Sequence, residues 1–413
     1  KHFDYIERKF FVNSSKDFNT TLQGLNQDHT FFRIEDFYQI SDNDPMLYGY
    51  HGINHSSSSI EQSSLEFLKQ LGVCSNQNLV NQKYIEGGTL PTDMLLGITY
   101  YLKWHCYKPI DYLDQTWGAQ KFYDCLTPHE TMEVYQNPYA LPIGYAVSEK
   151  VLAPLTLTTN AFEVQNSLLS HLNNNAHTYY QPATLEALHC TNLQVCMEND
   201  EKHYIKEDSK AEATIIYVLK AAEDGPLYMQ LTSTLFDTQK LKRNPVEVYV
   251  NDIDASYYFL GSAYGIKNIG TYKKGEAVHI TLKLIDSEFY LKDSYFYTLD
   301  LKPFKTLYST LKSQGLQINK WRDGYVEGEI TISEDAKLFM TSILYDKGWY
   351  IKVDGKKQET VAIQGALLGS VLDKGTHNIV LYYEAPGFKL GLLISLGTLA
   401  IIVCIYMLRR KKI

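Results

Sequence analysis

Short apolar or alternating runs recur along the second half of the chain, from about Ala211 onward. Turn-forming residues separate them, among them Lys274-Gly275 and Asp354-Gly355. A period of two places successive side chains on opposite faces of a strand, and many short strands joined by turns are typical of β-sandwiches. The runs are ATIIYVLK, LYMQLTS, VEVYVND, AVHITLKL, FYTLDL, VEGEITI, LFMTSILY, WYIKVDG and THNIVLYYEA.

Two parts of this half resemble each other. YVND, which ends at Asp252, is followed by KKGEAVHITLKL, and KVDG, which ends at Gly355, is followed by DKGTHNIVLYY. We therefore expect two strand-rich, sandwich-like modules in tandem, at residues 211–312 and 313–386. Within the second module, Asp354-Gly355 fits a two-residue type I′ hairpin, because that turn needs a positive φ at both central positions.

The first half mixes strand and helix patterns. FFRIEDF (Phe31–Phe37) predicts a strand, and DMLLGITYYL (Asp93–Leu102) predicts another. Between them SIEQSSLEFLKQLG has leucines at helical spacing, which predicts a helix capped by Ser58 or Ser59 and stopped by Gly72. Strand, helix and strand in this order indicate a mixed α/β domain over residues 31–177.

Three further segments complete the predicted organisation. NAFEVQNSLLSHL predicts a helix capped by Asn160 near the end of this domain. SSKDFNTTLQGL predicts a short helix after Ser14 or Ser15, within an entry segment at residues 1–30. The stretch 178–210 is expected to be a loop-rich linker. The predicted fold class is therefore α+β: an N-terminal mixed α/β domain followed by two β-sandwich-like modules and one C-terminal transmembrane helix.

The basis for that last helix is an uncharged apolar stretch. No charged residue lies between Leu390 and Leu408, and a helix of this length spans about 28 Å, close to the hydrocarbon thickness of a bilayer. A buried core helix rarely runs this long without a polar face. We expect a transmembrane helix at residues 388–409 and a basic cytoplasmic tail at 410–413, since Lys and Arg favour the cytoplasmic side. Residues 1–386 are then extracellular.

The start of the chain bears on how it reaches the outside. It begins with Lys1 and has no charged-then-apolar signal segment. We expect the chain to be the C-terminal part of a longer membrane protein, entered after an earlier membrane span.

Charge and cysteine content narrow the classes of function. The chain carries a net charge of −8, and the part before the apolar stretch is more acidic still, because basic residues cluster at and beyond that stretch. This argues against nucleic-acid binding, which needs a basic face. The cysteines form no Cys-x-x-Cys pair, so a zinc site is not favoured. Cys190 and Cys196 are near enough in sequence for a disulfide, and free thiols are the alternative.

Three polar patterns contain residue types that occur in catalytic or metal sites. Asp252 and Asp254 form an Asp-x-Asp pair, but no nucleotide-binding unit surrounds them. His51 and His55 have the spacing of two zinc ligands on a helix, yet Gly52 lies between them and no Glu follows His51. The serines at 56–59 lack the Gly-x-Ser-x-Gly context of a nucleophile. We therefore predict no metal, no cofactor and no catalytic residue in this chain.

Several stretches together resemble the YfhO family of bacterial multi-spanning membrane proteins, specifically its C-terminal extracellular half. The resemblance covers nearly the whole chain and is weakest between about residues 172 and 340. It rests on FFRIEDF, NDPMLYGYHGINHSSSS, FLKQLG, DMLLGITYYL, NPYALPIGYAVS, NAFEVQNSLL, YDKGWYIKVDGK and DKGTHNIVLYYEAPGFKLGLLISL.

The resemblance implies a membrane glycosyltransferase of the GT-C architecture in the bacterial plasma membrane. Such enzymes transfer a sugar from a polyprenyl-phosphate donor, and the implied acceptor is a cell-envelope glycopolymer such as lipoteichoic acid. The catalytic carboxylate of that architecture lies in an early extracellular loop outside this chain. The implied partners are the lipid bilayer, an upstream transmembrane region of the same protein, the donor and the acceptor.

The polar segment NDPMLYGYHGINHSSSSIEQ is the candidate for contact with the acceptor. Hydroxyl, amide and imidazole groups suit the hydrogen bonding of sugars and polyols. We therefore predict that His51, Asn54, His55, Ser56, Ser57 and Ser58 line a substrate-binding cleft facing the membrane. Ordinary solvated loop residues are the alternative for this segment.

Two other functions stay open. A membrane-anchored extracellular carbohydrate-binding or adhesion module would also carry sandwich modules on one helix, since fold alone does not give function. A soluble hydrolase is less favoured, because no nucleophile or paired-acid motif is recognisable.

Overall fold

The computed structural model describes residues 8–25, 31–36, 41, 43–57, 60–73, 81–82, 84, 87–104, 124–128, 132–156, 158–173, 177–233, 245–259, 265–333 and 336–410. Within these ranges the fold class is α+β, with strands in several sheets and an apolar C-terminal helix, as the sequence predicts. The helices are α1 (Arg8–Leu25), α2 (Asp44–Tyr48), α3 (Gln62–Gln70), α4 (Leu90–Leu96), α5 (Ala161–Leu172), α6 (Leu301–Ser313) and α7 (Phe388–Arg410).

The strands of the first part of the chain are β1 (Arg33–Asp36), β2 (His55–Ser56), β3 (Asn81–Gln82), β4 (Ile98–Trp104), β5 (Asp124–Pro128), β6 (Met132–Gln136), β7 (Gly144–Val147), β8 (Tyr180–Pro182), β9 (Thr184–Thr191), β10 (Leu193–Glu198) and β11 (Glu201–Lys206). Those of the second part are β12 (Thr214–Lys220), β13 (Gly225–Thr232), β14 (Val246–Val250), β15 (Ile253–Tyr258), β16 (Lys267–Tyr272), β17 (Ala277–Leu284), β18 (Glu288–Leu291), β19 (Asp293–Leu299), β20 (Gln317–Arg322), β21 (Tyr325–Ile332), β22 (Leu338–Leu344), β23 (Trp349–Val353), β24 (Lys356–Gln358), β25 (Val361–Ile363), β26 (Leu367–Val371) and β27 (Gly375–Tyr383).

The N-terminal sheet has the strand order β1-β4-β6-β5, with β1 parallel to β4. The predicted strand Asp93–Leu102 is wrong in its first part, which belongs to α4. Thr89 caps that helix through its side chain, Pro91 lies in its first turn, and Gly97 ends it in a left-handed conformation with a φ of 67°. These local signals outweigh the apolar run, so the strand begins only at Ile98.

The other helices of this part follow the sequence more closely. The helix after the polar segment runs over Gln62–Gln70, but its N-cap is Glu61 without a side-chain cap, so the predicted serine cap is wrong. Asn160 caps α5 as predicted, through a hydrogen bond from the amide of Phe162 to its side chain. The entry helix α1 begins at Arg8 and is longer than predicted.

A β-sandwich follows. The sheets β15-β14-β17-β12-β9 and β16-β13-β19-β8 contribute to one buried apolar cluster, which includes Ile215, Leu227 and Ile280. The expectation of a loop-rich stretch at 178–210 is wrong, because β8, β9, β10 and β11 lie there. The first two of these strands extend the edges of the sandwich sheets, so backbone pairing orders this stretch.

The last strands form two further sheets around a second buried cluster. Their orders are β20-β21-β27-β23-β24 and β25-β26-β22-β7. Strand β7 comes from the first half of the chain and pairs with β22, for example Thr341 with Gly144. Helix α6, which the sequence analysis missed, precedes this region and is capped by Asp300. The division of the chain into separate domains stays a prediction.

The repeated segments form two equivalent hairpins. Asn251 and Asp252 have φ angles of 50° and 65°, and Asp354 and Gly355 have φ angles of 51° and 79°. In the first hairpin the Asn251 amide donates to the His279 carbonyl, and the His279 amide donates to Asn251 Oδ1, both at 2.8 Å. Asp354 makes the same pair of bonds with the backbone of Asn378, both at 2.9 Å. The predicted Asp-Gly turn is confirmed in its positive φ angles.

Helix α7 is long and apolar enough to cross a membrane, and its apolar side chains are exposed. Its bounds agree within a residue with the predicted span. Lys389 in its first turn pairs with Glu384 at 2.7 Å.

Candidate functional site

The polar segment predicted to bind substrate lies across strand β1. The amide of Ile34 donates to the carbonyl of His51 at 2.8 Å. Gly52 lies where no side chain fits, since a Cβ there would be 2.6 Å from Pro45 Cγ and 3.1 Å from the Ile34 carbonyl oxygen. The segment is therefore closely packed against the sheet rather than a loose surface loop.

A buried carboxyl group anchors the segment to strand β1. Glu35, which is 1% exposed, accepts hydrogen bonds from the amide of Ile53 and from Asn54 Nδ2. Asn54 Oδ1 in turn accepts the amide of Tyr84 at 2.7 Å. The Asn54 side chain is 4% exposed and bonded at both ends. It is therefore part of the framework of the segment, and its predicted contact with a ligand stays a prediction.

The remaining polar residues of the segment lie beside a short two-stranded sheet. His55 pairs with Gln82 and Ser56 with Asn81. The Ser56 amide donates to Asn43 Oδ1 at 2.8 Å, and Asn43 Nδ2 donates to the Ser56 carbonyl at 3.0 Å. His55, Ser56 and Ser57 are half-buried, and Ser58 lies outside the described residues. A binding role for these side chains stays a prediction.

His51 belongs to a cluster of three aromatic rings. Its imidazole centroid lies 5.1 Å from Phe31 and 5.6 Å from Trp321. The rings of Phe31 and Trp321 meet edge to face at 5.5 Å. His51 Nε2 is 3.7 Å from Asp323 Oδ1, and the Asp323 side chain is 92% exposed. Burial lowers the pKa of His51 despite this carboxylate, so the ring is neutral at neutral pH.

A small cavity opens beside these rings. It measures about 70 Å³ and is lined by Leu22, Phe32, Gly49, Tyr50, His51 and Trp321. We use the term aromatic site for Phe31, Tyr50, His51, Trp321 and Asp323. Four of the six lining residues are aromatic, and polar as well as apolar atoms face the cavity. Such a lining suits a ligand with both apolar and hydroxyl-bearing faces.

A buried arginine supports the aromatic site. The guanidinium of Arg33 lies 5.4 Å from the centroid of the Phe31 ring. It donates to the carbonyl of Leu96 and to both the side-chain and carbonyl oxygens of Ser342. Burial lowers the pKa of Arg33 to about 10 and raises that of Glu35 to about 8. Arg33 thus joins β1 to β22 and fixes the ring stacked above it.

The aromatic site lies close to the start of the apolar helix. Trp321 is at the end of β20, and the following turn contains Gly324, whose carbonyl accepts the amide of Tyr383 at 2.8 Å. From Tyr383 the chain reaches Phe388, where α7 begins, within about 17 Å even if fully extended. If α7 crosses a bilayer, the aromatic site lies near its surface.

Trp321 and Asp323 are not predicted from the sequence to belong to this site. They lie far beyond His51 in the sequence, and they come close to it only in the folded chain. WRDG is a recognisable turn signal, but nothing in it indicates contact with the polar segment.

No group of three or more His, Cys, Asp or Glu side chains with metal-binding geometry occurs among the residues that the structure describes. Asp252 belongs to the hairpin turn, and Asp254 Oδ1 accepts the amide of Ser256 at 2.7 Å. The Asp-x-Asp pair therefore has a structural explanation as a turn.

Cys190 and Cys196 are free, exposed thiols.

Comparison with known proteins identifies the family. The family model described as "Bacterial membrane protein YfhO" matches residues 6–395. The chain belongs to the YfhO family. It is 23% identical over 394 residues to the "Uncharacterized protein YfhO" of Bacillus subtilis (strain 168), covering 93% of this chain and 44% of that protein. This YfhO-family chain therefore spans less than half the length of its curated relative.

Solved structures show only distant similarity to this YfhO-family chain. The mycobacterial arabinofuranosyltransferase AftD is 12% identical, with 43% of this chain and 14% of that chain covered and a TM-score of 0.19. The CBM32 and M60 domains of Clostridium perfringens ZmpB are 7% identical, with coverages of 48% and 36% and a TM-score of 0.20. Scores this low carry no argument about fold or activity.

Proposed function

We propose that this chain is the extracellular portion of a membrane glycosyltransferase. The enzyme transfers a sugar from a polyprenyl-phosphate donor to a cell-envelope glycopolymer such as lipoteichoic acid. Membership of a bacterial membrane protein family supports the setting, and the sequence resemblance supplies the reaction class. The observation that carries the proposal is the aromatic site beside the start of α7, a short distance from the expected bilayer surface.

The geometry suits an acceptor-holding role. A lipid-linked donor keeps its phosphate leaving group at the membrane surface, so the acceptor hydroxyl must be held there as well. The ring of Trp321, which lines the cavity, offers an apolar surface to a sugar ring, and neutral His51 supplies a hydrogen-bonding nitrogen. Holding two reactants in place lowers the barrier by proximity.

The chemical step is assigned to groups outside this chain. In the proposed enzyme a carboxylate of the upstream membrane region acts as general base on the acceptor hydroxyl. Residues 1–386 then lie outside the cell and the tail after α7 inside it. The aromatic site contributes binding and orientation only.

A membrane-anchored carbohydrate-binding module is the second candidate. Its supporting observation is that the aromatic site offers binding groups and no buried carboxylate, since its carboxylate, Asp323, is 92% exposed. The two candidates differ in what precedes Lys1 in the natural protein. Multiple apolar spans with an early extracellular carboxylate favour the transferase, and a single signal peptide favours the binding module.

The test is genetic and chemical. Deleting the full-length gene should remove one sugar substituent from an envelope glycopolymer, measured by sugar analysis of purified polymers. Complementation with the full-length gene should restore it, and complementation with a Trp321→Ala version should restore much less. Unchanged polymer composition in the deletion strain would reject the transferase and leave the binding module.

A further inference from the structure

A row of tyrosines crosses the outer face of the sheet β20-β21-β27-β23-β24. Tyr382 pairs with Tyr325 on one side and with Tyr350 on the other. Directly paired residues point to the same face of a sheet. Their strand neighbours Leu381 and Ile351 are buried, so the tyrosines face away from the core. The rings of Tyr350 and Tyr382 stack with centroids 5.3 Å apart.

Each tyrosine of this row has a cation over its ring. Arg322 Cζ lies 5.3 Å from the Tyr325 centroid. Lys352 Nζ lies 5.1 Å from that of Tyr382, and Lys357 Nζ lies 4.1 Å from that of Tyr350. We use the term tyrosine row for these three tyrosines with their three cations. Cation–π contact holds each positive charge flat on the sheet.

Two of these cations repel each other when no ligand is bound. Lys352 and Lys357 are directly opposite each other on β23 and β24. Like charges in directly paired positions repel, and a negatively charged ligand placed over both removes the repulsion. The arrangement therefore favours an anion against this face.

Acidic groups also lie on or near this face. Glu327 accepts a hydrogen bond from the hydroxyl of Tyr325 at 2.7 Å. Glu384 is paired with Lys389. Glu359 is exposed just beyond the end of β24. Even with Glu327 and Glu329 charged, four cations on this face, Lys320, Arg322, Lys352 and Lys357, leave a surplus of positive charge on a chain whose net charge is −8.

The tyrosine row lies where the chain meets the apolar helix. Strand β27 carries Tyr382 almost at its end and leads through a short connection into α7. Lys389, in the first turn of α7, is close enough to interact electrostatically with Tyr382 and Tyr350. The row and the first turn of the helix are therefore at about the same level.

We propose that the tyrosine row is a docking surface for the anionic phospholipid headgroups around α7. Tyrosine is enriched at membrane interfaces because its ring is apolar and its hydroxyl is polar. Lysine and arginine near the surface are attracted to anionic lipid. Docking by this face fixes the tilt of the sheet, and with it the height of Trp321, the neighbour of Arg322. The proposal does not depend on sugar transfer, since lipid docking can be tested without an acceptor.

The experiment uses the full chain with α7 reconstituted in nanodiscs. Amide hydrogen exchange is measured by mass spectrometry in phosphatidylcholine nanodiscs and in nanodiscs that also contain phosphatidylglycerol. We expect exchange in the edge strand β24 and the end of β27 to slow by about tenfold with anionic lipid. The slowing should disappear in about 1 M salt, where the Debye length is about 3 Å.

Matched charge reversals identify the surface. Lys352→Glu with Lys357→Glu should abolish the lipid-dependent slowing. Lys302→Glu with Lys305→Glu makes the same charge change at exposed positions of α6 and should keep it. If the first pair impairs folding, judged by thermal unfolding, Lys352→Gln with Lys357→Gln replaces it. Equal exchange of the wild-type chain in both lipids, or slowing that survives loss of both lysines, overturns the proposal.

Discussion

The backbone amide of Tyr383 donates a hydrogen bond to the carbonyl oxygen of Gly324 at 2.8 Å. This bond connects the turn that carries Asp323 with the strand that leads into α7. Trp349 reinforces the junction, because its ring meets that of Tyr383 edge to face at 5.4 Å. The aromatic site and the apolar helix are therefore joined by a short, well-packed path, and predictions about either must take the junction into account.

Gly348→Ala tests this junction. A Cβ at Gly348 would lie 2.8 Å from the carbonyl oxygen of Glu384 and 2.6 Å from the Tyr383 ring. Because the backbone cannot move aside as a flexible side chain does, we expect the free energy of unfolding to fall by about 1–3 kcal/mol. Chemical denaturation measures it. Gly24→Ala in α1, where no atom lies within 4 Å of the new Cβ, is the control and should cost nothing. Equal stability of both variants would contradict the packing described.

Truncation of Trp321 tests the aromatic site. In the full-length protein we expect Trp321→Ala to reduce binding of a glycopolymer fragment about tenfold, because the ring forms one wall of the cavity. Trp321→Phe should retain part of the affinity. Isothermal titration calorimetry measures both.

The control for that experiment is Tyr257→Ala, which truncates a half-buried ring in β15, away from the aromatic site. It should leave binding unchanged. A loss of affinity as large as that of Trp321→Ala would indicate a general effect of destabilisation instead of a specific contact.

Truncation of Asn54 should mainly lower stability, and truncation of His51 should mainly lower ligand affinity. Asn54→Ala leaves the amide of Tyr84 and a buried oxygen of Glu35 without their partner, so we expect a loss of about 1–3 kcal/mol in the free energy of unfolding. His51→Ala should lower affinity for the glycopolymer fragment with a smaller effect on stability. Thermal unfolding and titration of both variants separate the two roles. If Asn54→Ala folds fully and still loses affinity for the glycopolymer fragment, Asn54 is a ligand contact.

Glu35 predicts a pH dependence of stability. Burial raises its pKa from 4.5 to about 8, so between these values the folded chain keeps a proton that the unfolded chain loses. The free energy of unfolding therefore falls as pH rises from about 4.5 to about 8, and below about 4.5 this contribution is constant. In the wild-type chain the free energy of unfolding should fall by about 2 kcal/mol or more over this range, and Glu35→Gln should abolish that fall.

Denaturation series at several pH values measure this difference. Glu329→Gln, at an exposed position of β21, is the control and should keep the wild-type dependence. A wild-type slope retained in Glu35→Gln would mean that Glu35 is ionised in the folded chain, where two donors already favour its charged form.

Each apolar run predicted from Ala211 onward contains a strand, because alternation is a local property and Asp354-Gly355 is a specific turn signal. Strands β15, β16, β18, β20, β24, β25 and β26 were not predicted. Helix α4 was misread, because the apolar run after Asp93 has no period that separates a short buried helix from a strand. Helix α6 was missed, since the run FYTLDL extends into its first residue and Pro303 follows closely. Local cap signals at Thr89 and Asp300 were present in both cases.

The aromatic site was predicted only in part. His51 was selected because its segment is unusually polar, and the same criterion selected Asn54, whose amide is buried; a ligand role for either residue stays a prediction. Polarity does not distinguish a residue that binds a ligand from one that satisfies a buried carboxylate. Trp321 was out of reach of local patterns, because its contact with His51 depends on how the last sheet packs on the first.

One pairing has a consequence for how the chain is made. The amide of Ser342 donates to the carbonyl of Ile143, a residue 199 positions earlier, next to the strand pair of β7 and β22. At a synthesis rate of about 5–20 residues per second, Ile143 emerges about 10–40 s before its partner exists. Until then β7 has an open edge, and such edges aggregate. We expect newly made chains interrupted before residue 338 to need a chaperone, however stable the finished protein is.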